Sequence, residues 1–109
     1  VARPERTQVE NRLVEGVAAL GGVVEKFVSP NKKNIPDDIV CWPAVGTHEA
    51  FVEFVECKAN GKGANSGQKR DHERRRKMGF NVLVLNTRDA VNRYLIWHRE
   101  RIAQWSLFK

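Results

Sequence analysis

The sequence reads as a mixed β-sheet flanked by helices, in the order α-β-β-β-α-β-α. Three observations carry that reading. An apolar stripe at four-residue spacing opens the chain, three β-branched runs follow, and a polar helical stretch then leads into a fourth apolar run. A helix between the third and fourth strands makes that pair a crossover, so those two should run parallel.

Taken in order, Val1 to Arg6 is a short polar arm. Thr7-Gln8-Val9-Glu10 fits a capping box, with Thr7 as N-cap and Glu10 at N3. Val9, Leu13, Val17 and Leu20 then form the stripe of an amphipathic helix, ended by Gly21-Gly22. Val23 to Val28 is the first strand, and Ser29 to Asn34 a basic loop. Asp38 to Trp42 is the second strand, and Ala50 to Lys58 the third. A turn at Gly46 joins them as a hairpin. Asn60 to Gly67 is a glycine-rich loop, Gln68 to Met78 a helix with almost no apolar face, and Phe80 to Leu85 the fourth strand. Thr87 caps a last helical region carrying Ala90, Val91, Tyr94, Leu95, Ile102 and Trp105, either one helix or two with a break near Trp97. No internal repeat is present.

With 109 residues the chain makes one domain, 1–109, with one modest core. Its formal net charge of +6 favours an anionic partner, although a merely basic surface gives the same count. Cys41 and Cys57 sit in apolar runs and read as small core side chains in a reducing, intracellular compartment. No apolar run approaches the roughly 18 residues that span a membrane, and no signal-peptide pattern occurs. The chain opens on Val1 without an initiator Met, which reads as a processed or trimmed start.

The chemistry-bearing residues gather around the hairpin. Alternation puts Phe54, Glu56 and Lys58 on one face of the third strand, with Val55 and Cys57 on the other. Glu56 can ligate a hard cation, and Lys58 can position water or neutralise a developing phosphorane charge. Alone, this pair reads first as a surface Glu/Lys at a strand end. Asp37, just before the paired strand and after Pro36, can supply a second carboxylate to the same cation, or can be a turn residue. Its neighbour Asp38 is the rival, and one of the two should face away. Glu10 either completes the capping box or brings a third carboxylate to the pocket. Gln68 can orient water or touch phosphate, and His72, four residues on, can contact DNA or lie exposed. Lys69, Arg70, Arg74, Arg75, Arg76 and Lys77 place six cations in nine positions. With Lys32, Lys33 and Lys62 they are candidate DNA contacts, positioning the backbone without reading sequence. The alternative is a solvated helix face. Gly61 to Gly67 lacks the Lys-Ser or Lys-Thr ending of a nucleotide-binding loop, so no nucleotide cofactor is expected, and the scattered His and Cys residues make no zinc pattern. Trp97, Trp105, Leu107 and Phe108 leave an apolar C-terminus that either packs on the sheet or offers a self-association face.

In order, Glu10, Lys26, Ser29-Pro30, Ile35-Pro36-Asp37, Phe54-Val55-Glu56-Cys57-Lys58, Gln68 with His72, and Gly79 before an apolar strand form a pattern. It resembles the VRR-Nuc domain family, a branch of the PD-(D/E)xK nuclease superfamily, from about Glu10 to Asn86. The resemblance implies a restriction-endonuclease-like αβββαβα core and a metal-dependent endonuclease acting on DNA. It makes Asp37 and Glu56 the acids holding Mg²⁺ or Mn²⁺, with the Cys57 carbonyl as a further ligand. Lys58 is then the motif lysine, Gln68 the family glutamine and Glu10 the helix-one acid near the metal. Small stand-alone members are similar to phage or bacterial Holliday-junction resolvases, which implies branched DNA, a homodimer and the host cytoplasm. The chain leaves no room for the extra domains of larger members. One departure is Asn34, where a Gly is usual before Ile-Pro. The rival readings are an inactive nuclease-fold DNA-binding module and a basic structural or interaction protein.

Overall fold

Helix α1 (Glu5–Ala19) opens the fold, followed by β1 (Val23–Lys26), β2 (Asp38–Trp42), β3 (Phe51–Cys57), α2 (Ser66–Lys77), β4 (Asn81–Leu85) and α3 (Arg88–Trp105). The computed structural model describes residues 5–29 and 32–108; Val1 to Pro4, Pro30, Asn31 and Lys109 lie outside them. The four strands form one sheet in the order β1-β2-β3-β4. β1, β2 and β3 pair antiparallel, and β4 joins β3 in parallel across the α2 crossover. This is the mixed sheet with three flanking helices that the element order predicts.

Register decides which residues share a face. Asp38 pairs with Val55, Val40 with Glu53 and Trp42 with Phe51, so these six residues point the same way. The core forms there. Val9, Leu13 and Val17 of α1 meet Val40, Trp42, Val55, Cys57 and Leu85 of the sheet, and Val91, Tyr94 and Leu95 of α3. The opposite face carries Phe54 and Glu56 and receives α2.

Helix α2 has no apolar stripe, and two polar side chains dock it instead. The Arg75 guanidinium lies 5.4 Å from the Phe27 ring centre and 4.8 Å from that of Phe54. Its charge is answered by Asp71, 2.8 Å from Nε. His72 is buried beside it. The helix is therefore fixed by packing, and contact with DNA is not needed to explain why it folds.

Several boundaries differ from the expected ones, each for a local reason. α1 starts before Thr7, so Thr7 lies within the helix and the predicted capping box does not form. α2 starts at Ser66 because Asn65 and Gln68 form a capping box of their own. β1 stops at Lys26, although the Phe27 N–H still donates to the Asp37 carbonyl at 2.8 Å. α3 is one unbroken helix through Trp97, capped by Thr87 as expected. Gly46 adopts φ +57°, and a Cβ there would stand 2.1 Å and 2.2 Å from the carbonyl oxygens of Phe108 and Trp105. The hairpin turn thus seats against the end of α3, where Trp105 stacks on His48 at 3.7 Å. Trp97, Leu107 and Phe108 stay exposed. Among the described residues no helix is long and apolar enough to cross a membrane.

Candidate active site

Asp37 and Glu56 meet at the end of the sheet where β2 begins and β3 finishes. Pro36 is buried and the Asp37 backbone is tied to Phe27, so the chain enters β2 in a fixed direction. Asn34 has φ +66°, the left-handed conformation that Gly adopts freely and Asn tolerates. The substitution for Gly therefore keeps the loop. The Asn34 side chain also packs onto Gly67, where a Cβ would come within 2.5 Å of its Nδ2. This contact joins the loop before Asp37 to the first turn of α2.

The rivalry between Asp37 and Asp38 is resolved by the pleat. Asp37 shares its side of the sheet with Glu56, and the two carboxyl groups lie close enough to shift each other's protonation. Burial, and then the Asp37 charge, push the Glu56 carboxyl up to about 8. Burial works the same way on Asp37, but the interactions with Glu56 and Arg6 outweigh it and hold Asp37 below the usual carboxylate range. Lys58 Nζ lies 3.9 Å from Glu56 Oε2, on the face that strand alternation predicts. His72 Nε2 lies 3.8 Å from Glu56 Oε1, and both atoms are buried without a hydrogen-bond partner.

Asp38 faces the core side instead. Its carboxylate, the Glu10 carboxylate and Cys57 Sγ lie within 4.8 Å of one another. Burial, and then Glu10, push the Asp38 carboxyl up to about 7. Lys26 Nζ bonds Glu10 Oε2 and stands 3.9 Å from Asp38. Glu10 thus serves neither as a cap nor beside Glu56; it belongs to this second cluster, on the far side of the Cys57 backbone.

Arg6 is the residue that sequence reading missed. Assigned to a polar arm, it lies in the first turn of α1. Its Nη2 stands 2.8 Å from Asp37 Oδ2, and its Nε donates to the Cys57 carbonyl at 3.0 Å. The signal was available: Arg6 precedes Glu10 by one helical turn, hence on the same face.

The basic residues separate into groups. Lys33, Lys62, Lys69, Arg70 and Lys77 are exposed. Lys32 and Arg74 are exposed but pair with Asp71 at 3.5 Å and 3.0 Å. Arg76 is exposed, and donates to the Val82 carbonyl. Two expected DNA contacts are corrected. Arg75 is held between aromatic rings, and His72, 1% exposed, faces Glu56. Gln68 Oε1 accepts from the Asn65 N–H at 3.0 Å, so this oxygen serves the helix cap.

Chemically, the Asp37 and Glu56 carboxylates and the Cys57 carbonyl make an all-oxygen donor set, which suits a hard cation such as Mg²⁺ or Mn²⁺. Glu56 Oε1 is buried with no hydrogen-bond partner, and Asp37 Oδ2 is held only by the Arg6 ion pair. Cys57 Sγ turns away, 3.7 Å from Asp38 Oδ2. The larger hollows, about 790 Å³ between β4 and α3 and about 490 Å³ beside α1, contain none of these residues.

No family model matches the chain. It is 38% identical over 81 residues to "Putative nuclease p44" of Acyrthosiphon pisum secondary endosymbiont phage 1, spanning 74% of this chain and 82% of that protein. A solved structure titled "VRR_NUC domain" superposes with a TM-score of 0.77 at 32% identity, covering 88% of this chain and 98% of the other. With that likeness over nearly the whole fold, the chain belongs to the VRR-Nuc domain family of nucleases.

Proposed function

We propose that the protein is a divalent-metal-dependent DNA endonuclease whose single catalytic centre is the Asp37–Glu56–Lys58 cluster. The observation that supports it most is the carboxyl pair itself, two acids brought from 19 positions apart to one end of the sheet by the β2–β3 register, with Lys58 beside Glu56. Asp37, Glu56 and the Cys57 carbonyl would hold Mg²⁺ or Mn²⁺. When bound, that ion lowers the pKa of water and offsets charge on the phosphate.

The chain's own groups do the rest. Lys58 lies beside Glu56 and can hydrogen-bond the attacking water or a phosphate oxygen. His72, buried behind Glu56, orients that carboxylate. Gln68 uses its oxygen in the cap and has its amide NH₂ to offer phosphate. Glu10 stands in the neighbouring cluster with Asp38 and Cys57 Sγ, behind the strand end that carries Glu56. Lys33, Lys62, Lys69, Arg70 and Lys77 present positive charge on exposed positions for the DNA backbone.

Branched DNA is the substrate class we favour, with a four-way junction cut by a homodimer. The exposed Trp97, Leu107 and Phe108 are consistent with a self-association face. The test is a panel of linear duplex, flap, splayed-arm and four-way-junction DNA with Mg²⁺. Cutting of junctions in symmetric pairs is expected. Equal cutting of all four defeats the junction reading, and cutting of none leaves a DNA-binding module of nuclease fold.

A further inference from the structure

Among the described residues, two clusters at this end of the sheet each contain a built-in cation. Lys26 serves Glu10 and Asp38, and Arg6 serves Asp37 and the Cys57 carbonyl. The Arg6 arrangement is the more consequential. Its guanidinium spans an oxygen just before β2 and one at the end of β3, and both belong to the donor set assigned above to the divalent ion.

We infer that Arg6 is a tethered competitor for the metal, seated on Asp37 and the Cys57 carbonyl until the ion displaces it. The inference rests on the metal reading of this site. A guanidinium seated on these two oxygens and a divalent cation held by the same oxygens stand within a few ångströms of each other and repel, so the ion binds more favourably once Arg6 withdraws. The fit of Arg6 is also incomplete. Nε makes a directed bond to Cys57, but Asp37 Oδ2 and Glu56 Oε1 stay without one. A hard ion that takes six or more oxygen ligands serves all three groups at once.

The exchange needs little movement. The Arg6 side chain is 45% exposed and carries a long flexible stem. Val9 and Leu13, the next residues of α1 toward the core, are buried and keep the helix in place. Arg6 therefore leaves by rotating its own side chain, while α1 stays docked. Seated, it offsets the charge of Asp37 and steadies the start of α1 against the end of β3. Displaced, it stands at the rim of the site as a free cation, with phosphate as its natural partner.

Mn²⁺ binding by isothermal titration calorimetry, without DNA, tests this on wild type, Arg6→Gln and Arg6→Lys. The Gln variant is expected to bind about fivefold tighter, since a half-exposed ion pair no longer has to be broken. The Lys variant, whose single nitrogen cannot span both oxygens, should fall between. Wild-type protein provides a readout that needs no substitution: the Arg6 Nε–H resonance should lose its exchange protection as Mg²⁺ is titrated. Equal or weaker binding by Arg6→Gln, or an Arg6 Nε–H signal unchanged at saturating Mg²⁺, overturns the exchange while leaving the metal site intact. Absence of Mn²⁺ binding in all three proteins overturns the metal reading itself, and this inference with it.

Discussion

Asp37→Asn is expected to lower kcat/KM for DNA cleavage by about a thousandfold or more, whereas Asp38→Asn should stay within about threefold of wild type. The two residues are adjacent, equal in chemistry and both largely shielded, yet the pleat sends them to opposite faces. Asp37 meets Glu56, Arg6 and the Cys57 carbonyl region. Asp38 meets Glu10, Lys26 and Cys57 Sγ. An Asn at 37 keeps the shape but loses a negative oxygen facing the proposed ion. An Asn at 38 keeps the shape and removes a carboxylate that burial and Glu10 already disfavour, its carboxyl being raised to about 7. Initial rates on one substrate at fixed salt, beside circular dichroism to show that both variants are folded, make the comparison. A reversed order would place the chemistry on the core face.

The second large effect is on stability. Glu53→Gln should destabilise the fold by about 3 kcal/mol. Glu53 is 4% exposed and stands among donors. It accepts from Tyr94 Oη at 2.6 Å, Trp42 Nε1 at 2.9 Å and Asn81 Nδ2 at 3.3 Å. His98 Nε2 lies 2.8 Å from Oε1, off the hydrogen-bond direction. A glutamine puts two donors of its own among these and removes the charge that holds them. Burial tends to raise this carboxyl, but the His98 and Tyr94 interactions outweigh it, and the Glu53 pKa lies below the ordinary value of 4.5. A group depressed in the folded state stabilises above its unfolded pKa and loses that contribution as pH falls through the folded one. Wild type should therefore lose stability below about pH 4.5, and Glu53→Gln should lose correspondingly less over that range. Urea unfolding at pH 7 and at several acid values reads both effects. A variant as stable as wild type at pH 7 would show that the network is dispensable.

Where alternation and register govern, the sequence was enough to bring the candidate residues together. Glu56 and Lys58 two residues apart, and a Gly46 turn joining their strand to the one after Asp37, place the acids together before any coordinates are considered. The polarity of α2 was equally plain, but its cause was not: Arg75 between Phe27 and Phe54 is a contact among three distant segments, invisible to a helix pattern. Glu10 matched a capping box from Thr7 because the motif is local. The helix starts earlier, and Lys26 and Asp38 compete for the carboxylate through tertiary contacts. Arg6 was lost for the same reason, as a helix start read too late turned a residue that meets Asp37 into part of an arm. Glu53 carried a signal that periodicity could have used. It has the parity of Val55 and Cys57, so a strand face otherwise apolar had to bury a charge and find donors for it.

The central claim is that the carboxyl pair at the sheet end works through a divalent ion, and its most direct measurement is wild-type cleavage of a four-way junction under controlled metal. Incubation with Mg²⁺ or Mn²⁺ should yield cut strands, EDTA should stop the reaction, and fresh Mg²⁺ in excess of EDTA should restart it. Cleavage that continues unchanged in excess EDTA would contradict the account.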